Sequence, residues 1–304
     1  MTGPTSPSAP GSVLVVGEAL VDVVRGHATP GGSPANVAVG LARLDIPVEL
    51  ATRFGTDVYG VLLAKHLAGN RVRLASGTVD PTFRTATATA TLDIDGVASY
   101  EFDIDWRPPD LRLPDGCVAV HTGSIATVLA PGSADVRAFV ATLADNPVTV
   151  TLDPNARPTI TPDPVQAWSA TTGLTAYADL VKLSEEDCEF LQPGRTPQEI
   201  AANLLGDRTR CVVITLGSEG AIGITKQATV QVPAPRIEVV DTVGAGDSFM
   251  SALIAGLDRR GLLGTTRLTG VEDHLEDVLT TATRAAAITC TRPGADPPTL
   301  AELG

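Results

Sequence analysis

The sequence predicts an α/β fold: a mostly parallel sheet with helices on both faces, and a small second β-sheet standing off it. Three observations carry this. Val13-Leu14-Val15-Val16-Gly17-Glu18 is a near-continuous apolar run ending in glycine, the pattern of a central strand buried on both faces. Further on, β-branched runs alternate with helical patterns, as repeated β-α units require. Thr85 to Ile94 instead alternates strictly, apolar with polar, the period of a two-faced antiparallel ribbon.

In chain order, Met1 to Gly11 is rich in Pro, Ser and Gly without a basic residue, and reads as a disordered tail and not a signal peptide. After the first strand comes Asp22, then a short linker from Val23 to Pro30. Pro30-Gly31-Gly32-Ser33-Pro34-Ala35-Asn36 leads into a helix through Val37, Leu41 and Leu44. Gly32 allows close backbone approach, and Asn36 offers donor and acceptor in the first turn, where local capping is the plain reading of Asp22 and Asn36. A strand from Val48 to Phe54 and a helix from Asp57 to Leu67 follow. The ribbon then turns at Asp95-Gly96 and returns through Tyr100 to Ile104.

Strands are predicted at Val118–His121, Val148–Asp153, Leu180–Leu183 and Val212–Leu216. Helices are predicted at Ala134–Ala144, Glu185–Leu191, Gln198–Leu205 and Val278–Thr289. No repeat or long linker divides the body, so 12–304 is expected to be one domain. Its active site is expected at the C-terminal ends of the parallel strands.

Composition narrows the function. The 304 residues are 43% hydrophobic and 19% charged, with a formal charge of -13 and no basic cluster, so nucleic acid and anionic membrane are poor partners. Cys117, Cys188, Cys211 and Cys290 are scattered and read as reduced thiols of a cytoplasmic protein. His27, His66 and His274 show no metal spacing, and His121 reads as packed against the sheet. The chain has neither a Gly-x4-Gly-Lys-Ser/Thr loop nor a Gly-x-Gly-x-x-Gly after its first strand, which disfavours a P-loop ATPase and a dinucleotide dehydrogenase.

The stretch with the sharpest chemistry is Asp241-Thr242-Val243-Gly244-Ala245-Gly246-Asp247-Ser248-Phe249. It follows the β-branched run Arg236 to Val240 and precedes an apolar helical pattern, so it reads as strand, tight turn and helix start. Two glycines flanking Ala245 let consecutive N–H groups converge, and the helix dipole adds positive potential, together a site for a phosphoryl group. A carboxylate at Asp247 can accept the proton of an attacking hydroxyl. Read plainly, Asp247 is an N-cap and the glycines a turn.

Taken whole, the nine residues closely resemble the signature of the PfkB family of carbohydrate kinases, with the ribokinase-like three-layer α/β/α fold. Asp22 with Gly31-Gly32 and Asn36 resembles that family's N-terminal signature. The likeness spans Gly17 to Ala295, and Gly17–Asp22, Asp153-Pro154-Asn155-Ala156-Arg157 and His121-Thr122-Gly123-Ser124 lean to fructokinase-type members. The resemblance implies an ATP-dependent sugar kinase using Mg²⁺, with K⁺ an open question. It assigns Asp247 as base, the amides of Gly244, Ala245 and Gly246 as anion hole, and Asp22, Gly32, Ser33, Asn36 and Arg157 to the sugar. Nucleotide contacts fall on Lys182, Ser184, Thr215, Gly217, Ser218, Gly220 and Thr289. Asp187 would hold Mg²⁺ through water, although Ser184 and Asp187 replace the family's Asn and Glu and equally suit a capping box. Asp241 and Val243 fall at a monovalent-cation site.

The ribbon lies mainly in 84–106, the position of the family's substrate lid. The short linker before Gly31 predicts a slighter lid than usual and leaves a homodimer through the lid open. A 2-keto-3-deoxygluconate kinase, a ribokinase, a nucleoside kinase and a non-catalytic sugar or nucleotide sensor are the alternative readings.

Overall fold

The computed structural model describes residues 11–92 and 98–304. The tail expected over 1–11 therefore lies almost wholly outside the described residues, as does the expected Asp95-Gly96 turn.

The chain opens with β1 (Ser12–Val16), then β2 (Leu20–Val24) and β3 (His27–Gly31), which form a hairpin. α1 (Ser33–Arg43), β4 (Val48–Ala51), α2 (Val58–Gly69) and the two-residue β5 (Arg73–Leu74) follow. Asp57 caps α2 by accepting from the N–H groups of Tyr59 and Gly60. β6 (Ala86–Leu92) and β7 (Ala98–Asp103) make the ribbon. The chain then returns through β8 (Cys117–Gly123), α3 (Gly132–Thr142), β9 (Thr149–Asp153) and α4 (Pro164–Thr175). Next come β10 (Leu180–Ser184), α5 (Glu185–Leu191), α6 (Pro197–Leu204), β11 (Cys211–Thr215), β12 (Ala221–Ile224) and β13 (Thr229–Val232). It closes with α7 (Ala245–Arg259), α8 (Leu275–Cys290) and α9 (Leu300–Leu303).

The main sheet has nine strands in the order β13-β12-β11-β10-β9-β8-β1-β4-β5. All neighbours run parallel except at β11-β12 and β12-β13. Alternation along β1 shows the layering. Val13 and Val15 pack into a core with α1, α2, α7 and α8, whereas Leu14 and Val16 pack into a second core with α3, α4, α5 and α6. Both faces are dry, which is why the strand is apolar throughout. The order reverses at β1, with β8 on one side and β4 on the other. A crevice at such a switch point, beyond the strands' C-terminal ends, is where an open α/β sheet binds ligands.

Two expectations are corrected. Residues 23–30 are no plain linker. Arg25 and Gly26 both have positive φ, at 50° and 79°, so they form the tight turn of the β2-β3 hairpin. The small sheet accordingly has four strands, in the order β3-β2-β6-β7, and is not the slighter lid that the linker implied. Nor is 236–240 a strand. Pro233 and Pro235, without an N–H for a ladder, do not carry it on beyond β13, and Val239 and Val240 lie exposed outside the sheet. Among the described residues no helix is long and apolar enough to cross a membrane.

Candidate active site

Asp247 lies at the third position of α7, only 7% exposed, and caps nothing. Its carboxylate instead bridges to α1: Ser33 Oγ donates to Oδ1 at 2.6 Å and Asn36 Nδ2 donates to Oδ2 at 2.8 Å. The two helices approach closely because Gly40 has no Cβ, which would stand 2.2 Å from Ser251 Oγ. The N-terminal ends of α1 and α7 are thus held together, and one carboxylate is fixed in orientation by two neutral donors.

Gly244 starts α7 from a left-handed conformation, φ 75°, with Ala295 packed where a Cβ would point. The N–H groups of Gly244, Gly246 and Asp247 have no acceptor among the described residues. Ala245 differs from expectation: its N–H donates to the Thr242 carbonyl at 3.2 Å, closing a turn that is needed to curl the loop. The open amides are therefore those around Ala245. Gly244→Ala should lower the melting temperature and, if the loop holds ATP as the resemblance implies, weaken ATP binding with it. The left-handed backbone alone costs a side chain about 1–2 kcal/mol, and the added methyl would stand 2.5 Å from Ala295 Cβ. A thermal melt and an ATP titration check both effects.

Beneath the loop lies a buried ion pair. Lys182 Nζ donates to Asp153 Oδ2 at 3.0 Å, with the two side chains 3% and 1% exposed. A Cβ on Gly246 would come within 3.1 Å of that ammonium, so the glycine lets the charge sit directly against the loop. Burial alone would push Lys182 down, but Asp153, then Asp187 and Asp247, hold its pKa above the ordinary value. Asp153 is pushed up to about 6, by burial first, with Lys182 opposing. Its Oδ1 is buried without a hydrogen-bond partner among the described residues.

Asp187 and Ser184 form the capping box that their spacing suggests. Ser184 Oγ accepts from Asp187 N at 3.0 Å, and Asp187 Oδ2 accepts from Ser184 N at 2.8 Å. The other Asp187 oxygen accepts from Ala156 N at 2.6 Å, tying α5 to the loop after β9. With both oxygens engaged, a metal at Asp187 fits only through water. Among the described residues no group of three or more His, Cys, Asp or Glu side chains could hold a metal ion unaided.

Across the crevice stands the small sheet. Asp22 on β2 lies over Gly31, its pKa raised by burial and held back by Arg157. Arg157 makes no ion pair among the described residues, so its guanidinium remains available beside Asp22. Gly32 begins α1 with φ 100°. On the far side Thr215 ends β11, with Gly217 and Ser218 exposed and Gly220 buried at φ 99°.

One expected residue stands differently. Thr289 is fully buried and its hydroxyl donates to the Ala285 carbonyl, so the side chain does not reach the crevice. Asp241 accepts from Val243 N at 3.0 Å and Gly294 N at 2.8 Å, bonds that lower its pKa and staple the segment to 294. His121 is packed as expected, with Nδ1 3.0 Å from Thr151 Oγ1 and its pKa pushed down to about 3 by burial. The Asp153–Lys182 pair was not foreseen, because nothing local couples residues on two separate strands.

Residues 12–302 match the family described as pfkB family carbohydrate kinase. A fructokinase of Rhizobium leguminosarum bv. trifolii is 32% identical over 280 residues, covering 86% of this chain and 84% of that protein. A fructokinase double mutant of Vibrio cholerae O395, crystallised with fructose, ADP and potassium ion, superposes with TM-score 0.78 at 27% identity, over 98% of each chain. A fructokinase of Xylella fastidiosa with bound ATP shares the fold, with TM-score 0.82 at 24% identity over 96% of each chain.

Proposed function

The chain belongs to the pfkB family of carbohydrate kinases and is an ATP-dependent sugar kinase, and we propose that it transfers the γ-phosphoryl group of ATP to a primary hydroxyl of fructose. The observation that carries the chemistry is Asp247, locked by Ser33 and Asn36 at the foot of a loop with open amides. Fructose is favoured by the curated relatives and by the Gly17–Asp22 and Asp153–Arg157 segments.

Asp22 and Arg157 hold the sugar from the lid side and from the loop after β9, with Gly32 allowing close approach. The hydroxyl oxygen attacks the γ-phosphorus, the bond from that phosphorus to the β-bridging oxygen breaks, and ADP leaves. Asp247 receives the hydroxyl proton. In a loose phosphoryl-transfer transition state that proton leaves late, so placement of the carboxylate counts for more than its basicity. The N–H groups of Gly244 and Gly246, backed by the Lys182 ammonium, face the charge on the moving phosphoryl group. Thr215, Gly217 and Ser218 contact the nucleotide.

Magnesium fits the acidic end of the site. Asp187 and Asp153, each within the other's field, would hold it through water beside the phosphates, where it neutralises phosphate charge. The Asp241 turn is the place for a potassium ion.

Coupled ADP release over ketoses, aldoses, nucleosides and keto-acids tests the proposal. Fructose is expected to give the highest kcat/KM. A higher value for another sugar would replace fructose, and no sugar response at all would overturn the catalytic roles.

A further inference from the structure

Glu18 takes no part in the chemistry above, yet it is 2% exposed in the three-residue link between β1 and the first lid strand. Burial raises its carboxyl to about 7, and Arg157 opposes this weakly. Glu18 Oε2 accepts from the N–H of Ala126 at 3.1 Å, and the Ser124 hydroxyl stands near enough to favour the ionised carboxylate. Ala126 sits in the short 3-10 turn Ser124–Thr127 that follows β8. The carbonyl of the same residue accepts from Trp106 Nε1 at 3.2 Å. Trp106 lies where the chain leaves the last lid strand, buried against Gly132 at the start of α3.

One residue of the body therefore receives both the chain entering the lid's first strand and the chain leaving its last, Glu18 on its N–H and Trp106 on its carbonyl. Ile125, its neighbour, packs with Leu20, Ala86 and Ala88 in the lid's own core. Ser124 holds a left-handed conformation at φ 52°, unfavourable for a side chain and kept where surrounding bonds over-determine it. The same turn lines a small cavity with Asn155 and Arg157, so the fixture reaches the residues facing the sugar.

We propose that Glu18, acting with Trp106 through Ala126, is a positioning residue that sets the seat of the lid and with it the place of Asp22 against Arg157. The geometry predicts that loosening either bond frees the lid and leaves the nucleotide side of the crevice intact. The sugar readout rests on the kinase reading, whereas the backbone readout does not.

The experiment compares Glu18→Ala, Glu18→Gln and Trp106→Phe by amide hydrogen exchange on the full chain and by steady-state kinetics with fructose and ATP. Glu18→Ala and Trp106→Phe should speed exchange in β2 and β7 by about tenfold, the effect of one lost charge-assisted or buried hydrogen bond, with β9 and β10 unchanged. The fructose KM should rise by a similar factor of about ten while the ATP KM stays within about twofold. Glu18→Gln, which keeps an oxygen for the Ala126 N–H, should recover most of both losses. Exchange rising equally in lid and body, or not rising in the lid of Trp106→Phe, would overturn the role, as would equal rises in both KM values. If the parent releases no ADP with sugar but lid exchange still responds, the kinase reading fails and the positioning role stands.

Discussion

Asp247→Asn should lower kcat by about 10²-fold or more, the range expected when a general base is lost, with ATP affinity close to the parent's. Asparagine keeps the shape, and one oxygen still accepts from Ser33 Oγ. The new amide group faces Asn36, which can turn its own amide and present oxygen instead. The bridge between α1 and α7 therefore survives and folding is little affected, so a fall in kcat reports chemistry. Asp247→Ala would confound the two by leaving Ser33 and Asn36 unpaired in the crevice. Rapid-quench measurement of the phosphoryl-transfer step separates chemistry from product release.

The second large effect is on stability. Lys182→Met should destabilise the protein by about 3–5 kcal/mol, because it leaves Asp153 buried without its counter-ion. Activity should fall with it, since the ammonium beside Gly246 is lost. The sign of the pH dependence follows from Asp153. Its folded pKa already lies above the ordinary carboxylate value, and removing Lys182 raises it further. The folded state then binds more protons than the unfolded one, so stability falls as pH rises through that range. The deficit measured in urea should be smaller at pH 5 than at pH 8. Pairing Lys182→Met with Asp153→Leu removes both charges and should restore much of the stability without restoring turnover. Recovery of activity in that double variant would show that the charge has no part in phosphoryl transfer.

The parts of this molecule that were legible in its sequence are those whose signal is local. β1 and β11 are almost wholly apolar because both faces of the sheet are covered, and that leaves continuous runs to read. The ribbon of β6 and β7 shows in its period of two. The Ser184–Asp187 capping box is likewise written within four residues. The β2-β3 hairpin was readable in principle, since Arg25-Gly26 follows a valine-rich run, but its strands are short and their outer residues exposed. The segment 236–240 misled for the opposite reason: its composition is β-branched, but it follows Pro233 and Pro235, which cannot carry the ladder on from β13, and the N–H of Val240 donates to the Cys290 carbonyl instead. α4 carries a good start, Asp163 with Pro164, but Gly173 and a run of threonines blur its apolar stripe.

Site geometry was less legible because its partners are distant in the chain. Ser33 and Asn36 meet Asp247 across 214 and 211 residues, and that pairing exists only once α1 and α7 pack. Lys182 and Asp153 meet because the register of two neighbouring parallel strands sets the last residue of β9 beside the middle of β10. Even within the phosphate loop, which amide is left open depends on the Thr242 carbonyl turning toward Ala245, and glycine spacing alone does not fix that.

The most direct test of the central claim is a crystal structure of this protein with fructose and a non-hydrolysable ATP analogue. The account predicts the γ-phosphate against the amides of Gly244 and Gly246, and a primary hydroxyl of the sugar about 3 Å from the Asp247 carboxylate, within reach for proton transfer. A nucleotide bound away from that loop, or a sugar whose hydroxyls all lie beyond hydrogen-bonding reach of Asp247, would contradict it.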